Sequence, residues 1–242
     1  MNPPPVHTLI RQRLQEIANP SKVPDLQRFF RTGPGDYGEG DRFIGVSVPL
    51  QRQVAREFAP YCTANDIRSL LNDPVHECRL TAIFLLVNHF QKSKKNPEAQ
   101  RLYVELYLEL LDHVNNWDLV DSSAHKILGP WLENRDRSPL YMLARSGHLW
   151  RERVAIIATM HFIDRGDFLD TLQIATLLLH HPHDLIHKAV GWMLRCIGDK
   201  DRHTEEAFLQ QHYRTMPRTM LRYAIEKFPE GRRQEYLKGL VS

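Results

Sequence analysis

The sequence of 242 residues contains only three cysteines, no long apolar run and no stretch in which apolar and polar residues alternate. Cys62, Cys78 and Cys196 lie far apart and form no Cys-x-x-Cys pair, which excludes a disulfide framework and a zinc knuckle. No apolar run approaches the roughly 20 residues that span a bilayer, and the proline-rich start lacks the apolar core of a signal peptide. We therefore expect a cytoplasmic protein.

Because alternation is absent, a β-sheet is not expected, and the apolar residues instead recur at steps of three and four. Val6, Leu9, Ile10 and Leu14 form one such stripe. Further stripes predict helices near residues 50–58, 75–89, 102–114, 117–129, 150–163, 171–180, 184–197, 204–213 and 217–228. Short breaks rich in Asn, Asp, Pro and Gly separate them, which favours antiparallel neighbours. The sequence predicts an all-α protein.

A weak structural period runs through the second half of the chain. Helices opening near Trp117, Trp150 and Asp184 are 33 or 34 residues apart, with further helical sequence between them. This spacing is typical of stacked helix pairs of the HEAT or TPR kind, in which one helix of each pair lines a concave face. We expect one domain over residues 1–242, a right-handed superhelical solenoid of antiparallel pairs.

Residues 32–41 depart from the helical pattern because they contain four glycines. Gly33, Gly35 and Gly38 match G-x-G-x-x-G, but no strand precedes them and no helix follows directly, so a dinucleotide site is rejected. The remaining interpretations are a mobile loop or a loop that lies close against other backbone.

Several helices carry candidate functional side chains. Trp117 and Asp121 are four residues apart and share one helical face, as do Lys188, Trp192 and Arg195 on a later helix. Taken singly, a Trp in an amphipathic helix is more often a core residue, and a lone Asp or Arg is more often part of an ordinary surface pair. Periodicity alone does not favour a functional role for these residues over this structural one.

The net charge is only +3, but residues 212–238 carry seven Lys or Arg against three acids. Arg214, Arg218 and Arg222 are spaced by four, so a helix aligns at least the last two. On composition alone a solvated helix face is the favoured interpretation, and nucleic-acid binding is the alternative.

Four segments in order resemble the AlkD-like DNA alkylation repair family. Residues 117–122 are similar to its W-D-x-V-D-S motif, and residues 149–156 to its x-W-x-x-R-x-A-I helix. Residues 186–195 resemble its I-x-K-A-[IV]-G-W-x-L-R helix, and residues 217–228 its closing segment. The resemblance extends from about residue 8 to residue 230.

The resemblance implies HEAT-like helix pairs with a concave face that binds double-stranded DNA. It also implies a monofunctional glycosylase that excises N3- or N7-alkylated purines without flipping the base. Asp121 would be the catalytic carboxylate, and Trp117 and Trp192 would pack against the deoxyribose. Arg153 and Arg195 would hold phosphates, and we expect Lys188, Arg218 and Arg222 to contact DNA as well. Such a protein would act as a monomer and associate with the nucleoid when bound to DNA.

The sequence departs from the shorter form of the family in two features. These departures concern the lesion preference and some of the DNA contacts. The glycine-rich loop is longer, and Phe29 stands where a tyrosine is expected. A cluster of His180, His181, His183 and His187 has metal-ligand spacing, but no adjacent carboxylate other than Asp184 completes a site, so no metal or other cofactor is expected.

Two alternatives remain beside the glycosylase. One is a non-catalytic paralogue that binds damaged or branched DNA through the same face, and the other is a HEAT-type protein scaffold. A pure DNA binder has no use for Asp121 near phosphates, because like charge weakens binding there. A scaffold has no use for arginines beside the tryptophans. Both arguments favour the enzyme.

Overall fold

The computed structural model describes residues 3–241, and over that range the protein is built from helices without a strand. A single isolated bridge joins Arg42 and Val75. The all-α prediction is confirmed. Within residues 3–241 no helix has both the length and the apolar character needed to cross a bilayer. Cys62 and Cys78 are buried free thiols, and Cys196 is a half-buried one.

The chain folds as two compact units, one ending at Ser123 and the other beginning at Ala124. The first contains α1 (Val6–Glu16), α2 (Val23–Phe29), α3 (Val48–Phe58), α4 (Ala64–Leu71), α5 (His76–Lys92), α6 (Pro97–Glu109) and 3-10 turns at Pro20–Lys22 and Leu111–His113. Helix α7 (Trp117–Leu132) includes the boundary. A single superhelical solenoid over the whole chain stays a prediction.

The second unit contains the remaining helices: α8 (Ser138–Ala144), α9 (Leu149–Ala158), α10 (Met160–Ile163), α11 (Leu169–Leu177), α12 (Asp184–Lys200), α13 (Arg202–His212), α14 (Arg218–Ala224), a 3-10 turn (Ile225–Lys227) and α15 (Glu230–Lys238). The predicted helix starts near Trp150 and Asp184 are confirmed. Arg214 lies between α13 and α14, whereas Arg218 and Arg222 are one turn apart in α14.

Side-chain caps fix where several helices begin. Thr63 and Asp66 form a reciprocal capping box at α4, in which each side chain accepts a bond from the other residue's backbone N–H. The Asn96 side chain accepts from the N–H of Ala99 at α6, and Asp201 caps α13. These caps satisfy backbone donors that a helix leaves unpaired at its first turn.

One helix forms the centre of each unit. In the first unit, α5 packs against α3, α4 and α6, and most of its residues are buried. In the second unit, α12 packs against α9, α13 and α14, and its buried residues follow one face. Side chains at the edges of α5 and α12 are therefore held by well-packed helices.

Gly191 explains how closely α14 approaches α12. A Cβ at this position would lie 2.4 Å from the carbonyl oxygen of Met220 and 2.5 Å from the Cβ of Tyr223. Backbone occupies that space, so a larger side chain forces the two helices apart. The glycine in the G-W pair of α12 is therefore a packing requirement for the close approach of α14.

We predict that Gly191→Ala lowers the free energy of unfolding by about 2 kcal/mol, because the added methyl overlaps α14 backbone. Gly231→Ala is the matched control, since nothing lies within 4 Å of its Cβ position in α15. There the better helix propensity of alanine is expected to leave stability unchanged or slightly raised. Urea unfolding of both variants measures the difference, and equal stabilities contradict the packing role of Gly191.

Candidate functional site

Trp117 and Asp121 lie four residues apart on α7, as the sequence predicts, and both are half-buried. The helix begins at Trp117, whose backbone N–H donates to Oδ1 of Asn116 over 2.9 Å. The Nδ2 of Asn116 in turn donates to Oδ2 of Asp41, also over 2.9 Å. The start of α7 is thus connected to a buried carboxylate at the end of the glycine-rich loop.

The indole of Trp117 belongs to an aromatic stack. Its ring lies 5.3 Å from that of Phe30 at an interplanar angle of 17°, and Phe30 stacks on Phe43 at 5.1 Å and 20°. Phe29 meets the indole edge-on at 5.7 Å and is 63% exposed. These contacts fix the orientation of Trp117.

His76 lies between two carboxylates at the N-terminus of α5. Its Nδ1 is 3.0 Å from Oδ2 of Asp41, and its Nε2 is 2.9 Å from Oδ2 of Asp118. Burial alone would lower the pKa of His76, but the charges and hydrogen bonds of Asp118 and Asp41 outweigh it and raise the pKa to about 9. The imidazole is therefore a cation at neutral pH.

The carboxylate of Asp41 accepts hydrogen bonds from three side chains. Besides His76 and Asn116, the guanidinium of Arg79 donates to its Oδ1. Burial would raise the pKa of Asp41, but these partners lower it below the ordinary value, so the side chain is a carboxylate. Paired in this way, the buried charge is stable without water.

The glycine-rich loop lies close to the end of α2 at Gly38, whereas residues 34–36, 39 and 40 are exposed. A Cβ at Gly38 would be 2.4 Å from the carbonyl oxygen of Phe30, and the N–H of Gly38 donates to the carbonyl of Arg31 over 3.1 Å. Of the two interpretations from the sequence, close contact with other backbone applies at Gly38. The loop ends at Asp41, so it reaches the buried cluster around His76.

Asp121 lies near a second buried polar pair of the first unit. The hydroxyl of Tyr107 and Oγ of Ser123 are 2.9 Å apart, and both side chains are buried. Burial raises the pKa of Tyr107, and the negative charge of Asp121 raises it further. Asp121 is therefore close enough for its charge to act on this buried pair.

In the second unit, the predicted residues of α12 share one face. Trp192 is half-buried, Nζ of Lys188 is 2.7 Å from Oδ2 of Asp184, and Arg195 pairs with Glu226. Ion pairs with exposed partners contribute little to stability, so a phosphate can replace the carboxylate at small cost. The arrangement is compatible with the predicted DNA contacts.

Arg153 differs from the other predicted cations because only 5% of it is exposed. Its guanidinium donates to the carbonyl of Leu185 and so joins α9 to the start of α12. Arg218 donates to the carbonyl of Leu237 over 2.7 Å and is exposed, as is Arg222. The exposed surface of α14 carries more accessible positive charge than Arg153 does.

The histidine cluster makes hydrogen bonds within the protein. Nε2 of His181 is 2.8 Å from Oε2 of buried Glu152, and Nε2 of His187 donates to the carbonyl of His181. Nδ1 of His183 accepts from the N–H of Leu185 and caps α12. Across residues 3–241, no group of three or more His, Cys, Asp or Glu side chains is placed to hold a metal ion.

A family model described as DNA alkylation repair enzyme matches residues 10–228. The chain belongs to the DNA alkylation repair enzyme family. A solved structure from Enterococcus faecalis, described as a predicted DNA alkylation repair enzyme, is similar with a TM-score of 0.67 at 16% identity. The similarity covers 88% of this chain and 97% of that chain, and at this identity it concerns the fold alone. No curated protein matches the chain.

Sequence reasoning about this family member missed His76, Asp41 and the role of Asp118. Asp118 stands in the W-D-x-V-D-S motif, where Trp117 and Asp121 were assigned roles and Asp118 was not. The one sequence signal for the others is a histidine placed directly after a turn, followed three residues later by Arg79. The pairing with Asp41 joins residues 35 positions apart and has no local pattern.

We predict that His76 makes stability depend on pH in this family member. A histidine whose pKa is raised by folding stabilises the fold fully below its unfolded pKa of 6.5 and loses that contribution as pH rises to about 9. The difference in unfolding free energy between wild type and His76→Gln should therefore shrink by about 3 kcal/mol between pH 6 and pH 9.5.

Urea unfolding at both pH values measures this difference. Burial raises the pKa of Glu205 to about 8, but Glu205 is common to both proteins and its effect cancels. His203→Gln, at an exposed histidine, is the control and should show no such change. A constant difference between wild type and His76→Gln at the two pH values would show that His76 is not a buried cation.

Proposed function

We propose that this chain is a monofunctional DNA glycosylase that hydrolyses the N-glycosidic bond of cationic N3- or N7-alkylpurines in duplex DNA. The observation that carries this proposal is the pair of Trp117 and Asp121, half-exposed on one face of α7 in a chain of the DNA alkylation repair enzyme family. An aromatic face beside a carboxylate suits a reaction in which positive charge develops on a sugar.

The chemistry requires little from the protein. The alkylated purine already carries a positive charge, so the base leaves as a neutral molecule when the bond electrons move from C1′ to its nitrogen. The oxygen of a water molecule bonds to C1′, and the water loses one proton. Because no acid has to protonate the leaving group, one carboxylate suffices where most glycosidases use two.

Each proposed residue has one role. Asp121 stabilises the developing sugar cation and receives the proton from water, and Trp117 offers the face of an indole to the deoxyribose. Trp192 has the same role from α12. Lys188, Arg195, Arg218 and Arg222 hold phosphates, which positions the duplex without reading its sequence. Arg153 is buried and bonded to the carbonyl of Leu185, so we assign it the positioning of the start of α12 in place of the phosphate contact expected from the sequence.

The fixed orientation of Trp117 supports this assignment. Phe30 stacks on the indole, and the end of α7 that carries it is held by Asn116 and Asp118. Preorganised groups stabilise a transition state more than mobile ones, because no reorganisation is needed at the moment of reaction. The buried cluster around His76 thus serves the proposed site without taking part in bond cleavage.

We predict that Asp121→Asn slows release of 7-methylguanine from a methylated duplex by about a hundredfold or more, because the sugar cation loses its counter-charge. Duplex binding should persist or tighten, since a negative charge near phosphates is removed. Single-turnover base release and fluorescence anisotropy measure the two effects. Glu105→Gln, at an exposed carboxylate of α6, is the control and should release base at the wild-type rate.

Loss of duplex binding by Asp121→Asn would contradict the catalytic role. Failure of the wild type to release base while it still binds duplex DNA would instead support the non-catalytic DNA binder.

A second prediction concerns the exposed guanidinium of Arg222. If it neutralises one phosphate, Arg222→Ala should reduce the slope of log binding constant against log salt concentration by about 1. Lys94→Ala is the control, because Lys94 is an exposed cation outside the proposed contact residues. Binding to undamaged duplex from 50 to 200 mM salt measures the slope. Equal slopes for wild type and Arg222→Ala would exclude a phosphate contact at this residue.

A further inference from the structure

A cavity of about 150 Å³ lies beside the aromatic stack in the first unit. Its walls are mainly apolar and include Phe30, Phe43, Val46 and Leu80, all of which are buried. Apolar cavities of this size hold one aromatic ring, as engineered cavities that bind benzene show. The cavity is also partly open, so a ligand somewhat larger than one ring can extend from it.

One polar group of the cavity lacks a partner within residues 3–241. Gln51 lines the cavity and is 2% exposed, and its Nε2 donates to the carbonyl of Val46 over 2.7 Å. Its Oε1 is buried and accepts no hydrogen bond. A buried acceptor of this kind is costly unless a donor reaches it, so the cavity favours a ligand that carries an N–H or O–H group.

The charges around the cavity cancel. The carboxylate of Glu77 accepts from the backbone N–H groups of Ile44, Gly45 and Val46, which leaves it committed to the protein. Three carboxylates and three cations line the cavity or pair with its wall: Asp41, Asp118, Glu77, His76, Arg79 and Lys22. A phosphate or carboxylate ligand finds no surplus positive charge there, whereas a neutral ligand meets no charge penalty.

We propose that this cavity binds the free nucleobase released by the reaction. A purine set free from a cationic lesion is neutral, flat and aromatic, and it carries N–H donors. Its ring would meet the edges of Phe30 and Phe43, because Phe43 and Trp117 cover the faces of Phe30, and one N–H would donate to Oε1 of Gln51. This inference rests on the proposed function, because it takes the ligand from the product of that reaction.

Phe30 forms both a wall of the cavity and the support of Trp117. It is buried between Phe43 and the indole, with ring centroids 5.1 and 5.3 Å away. A base bound against Phe30 is therefore separated from the proposed catalytic tryptophan by one ring. The product site and the reaction site would share this side chain, so an occupied cavity should slow the next excision.

The test is binding of free 3-methyladenine, measured by isothermal titration and by saturation-transfer NMR on the full chain. Wild type should bind the base, and Gln51→Met should weaken binding about tenfold, because one hydrogen bond to the ligand is lost. Gln53→Met is the matched control, since Gln53 is exposed on the same helix. Equal binding by wild type and Gln51→Met overturns the assignment of Oε1.

A second variant covers the case in which Gln51→Met also disturbs the loop at Val46. Val46→Phe fills the cavity and keeps Gln51, while the backbone N–H of Val46 can still donate to Glu77. It should abolish binding of the free base in a protein that still unfolds cooperatively on heating. Persistent binding by a folded Val46→Phe variant would show that the base binds elsewhere.

Base excision and free-base binding, measured on the same protein preparations, distinguish a failure of this proposal from a failure of the proposed function. Excision of 7-methylguanine without binding of the free base, and without inhibition by it, leaves the glycosylase standing and overturns the product site. Binding of the free base without excision supports the cavity and overturns the glycosylase. A third outcome is that lesion-containing duplex occupies the cavity while the free base does not bind. This outcome would assign the cavity to a base still attached to DNA and contradict product binding.

Discussion

The paired charges around His76 hold together three parts of the first unit that are distant in sequence. The imidazolium joins the end of the glycine-rich loop at Asp41 to the start of α7 at Asp118. His76 is also the first residue of α5. A buried cation between two carboxylates persists only while all partners are present, since loss of one leaves an uncompensated charge. The orientation of Trp117 depends on this arrangement, because Asn116 and Asp118 flank it in the chain.

The two central helices carry two different arrangements of polar side chains. Around α5 the polar groups are buried and paired with each other, which suits fixed positioning. Along α12 and α14 the cations are partly exposed and paired with carboxylates or carbonyls that water can also reach. The first arrangement favours chemistry at a defined point, and the second favours adaptable contact with a regular polyanion.

The sequence was informative where structure is local. Periodicity predicted the helices, and motif resemblance predicted the family and the positions of Trp117 and Trp192 on helical faces. It was less accurate where a side chain alters the backbone: the helix predicted over residues 150–163 is divided at Thr159, whose hydroxyl donates to the carbonyl of Ile156. Such back-bonding competes with the helix and has no signature in apolar spacing.

The buried cluster was missed for a different reason. Asp41 reads as the end of a polar loop, and His76 as one polar residue on an apolar helix. Only their pairing across 35 residues makes them stable inside the protein. Phe30 and Phe43 likewise belong to separate segments, and their stacking is a tertiary property. The cavity beside them arises from the same non-local packing, so no motif could predict it.

The contact between Gly38 and the end of α2 bears on how this loop tolerates change. Glycine-rich segments usually accept insertions and are cut readily by proteases. Here the second half of the segment is fixed twice, by the approach of Gly38 to the carbonyl of Phe30 and by burial of Asp41. The turn between those two points is closed by a hydrogen bond from the N–H of Asp41 to the carbonyl of Gly38 over 3.1 Å, so an insertion disturbs it more than one in the exposed residues ahead of Gly38. Confinement thus accounts for Gly38, whereas Gly35 and Gly40 adopt a positive φ in open space.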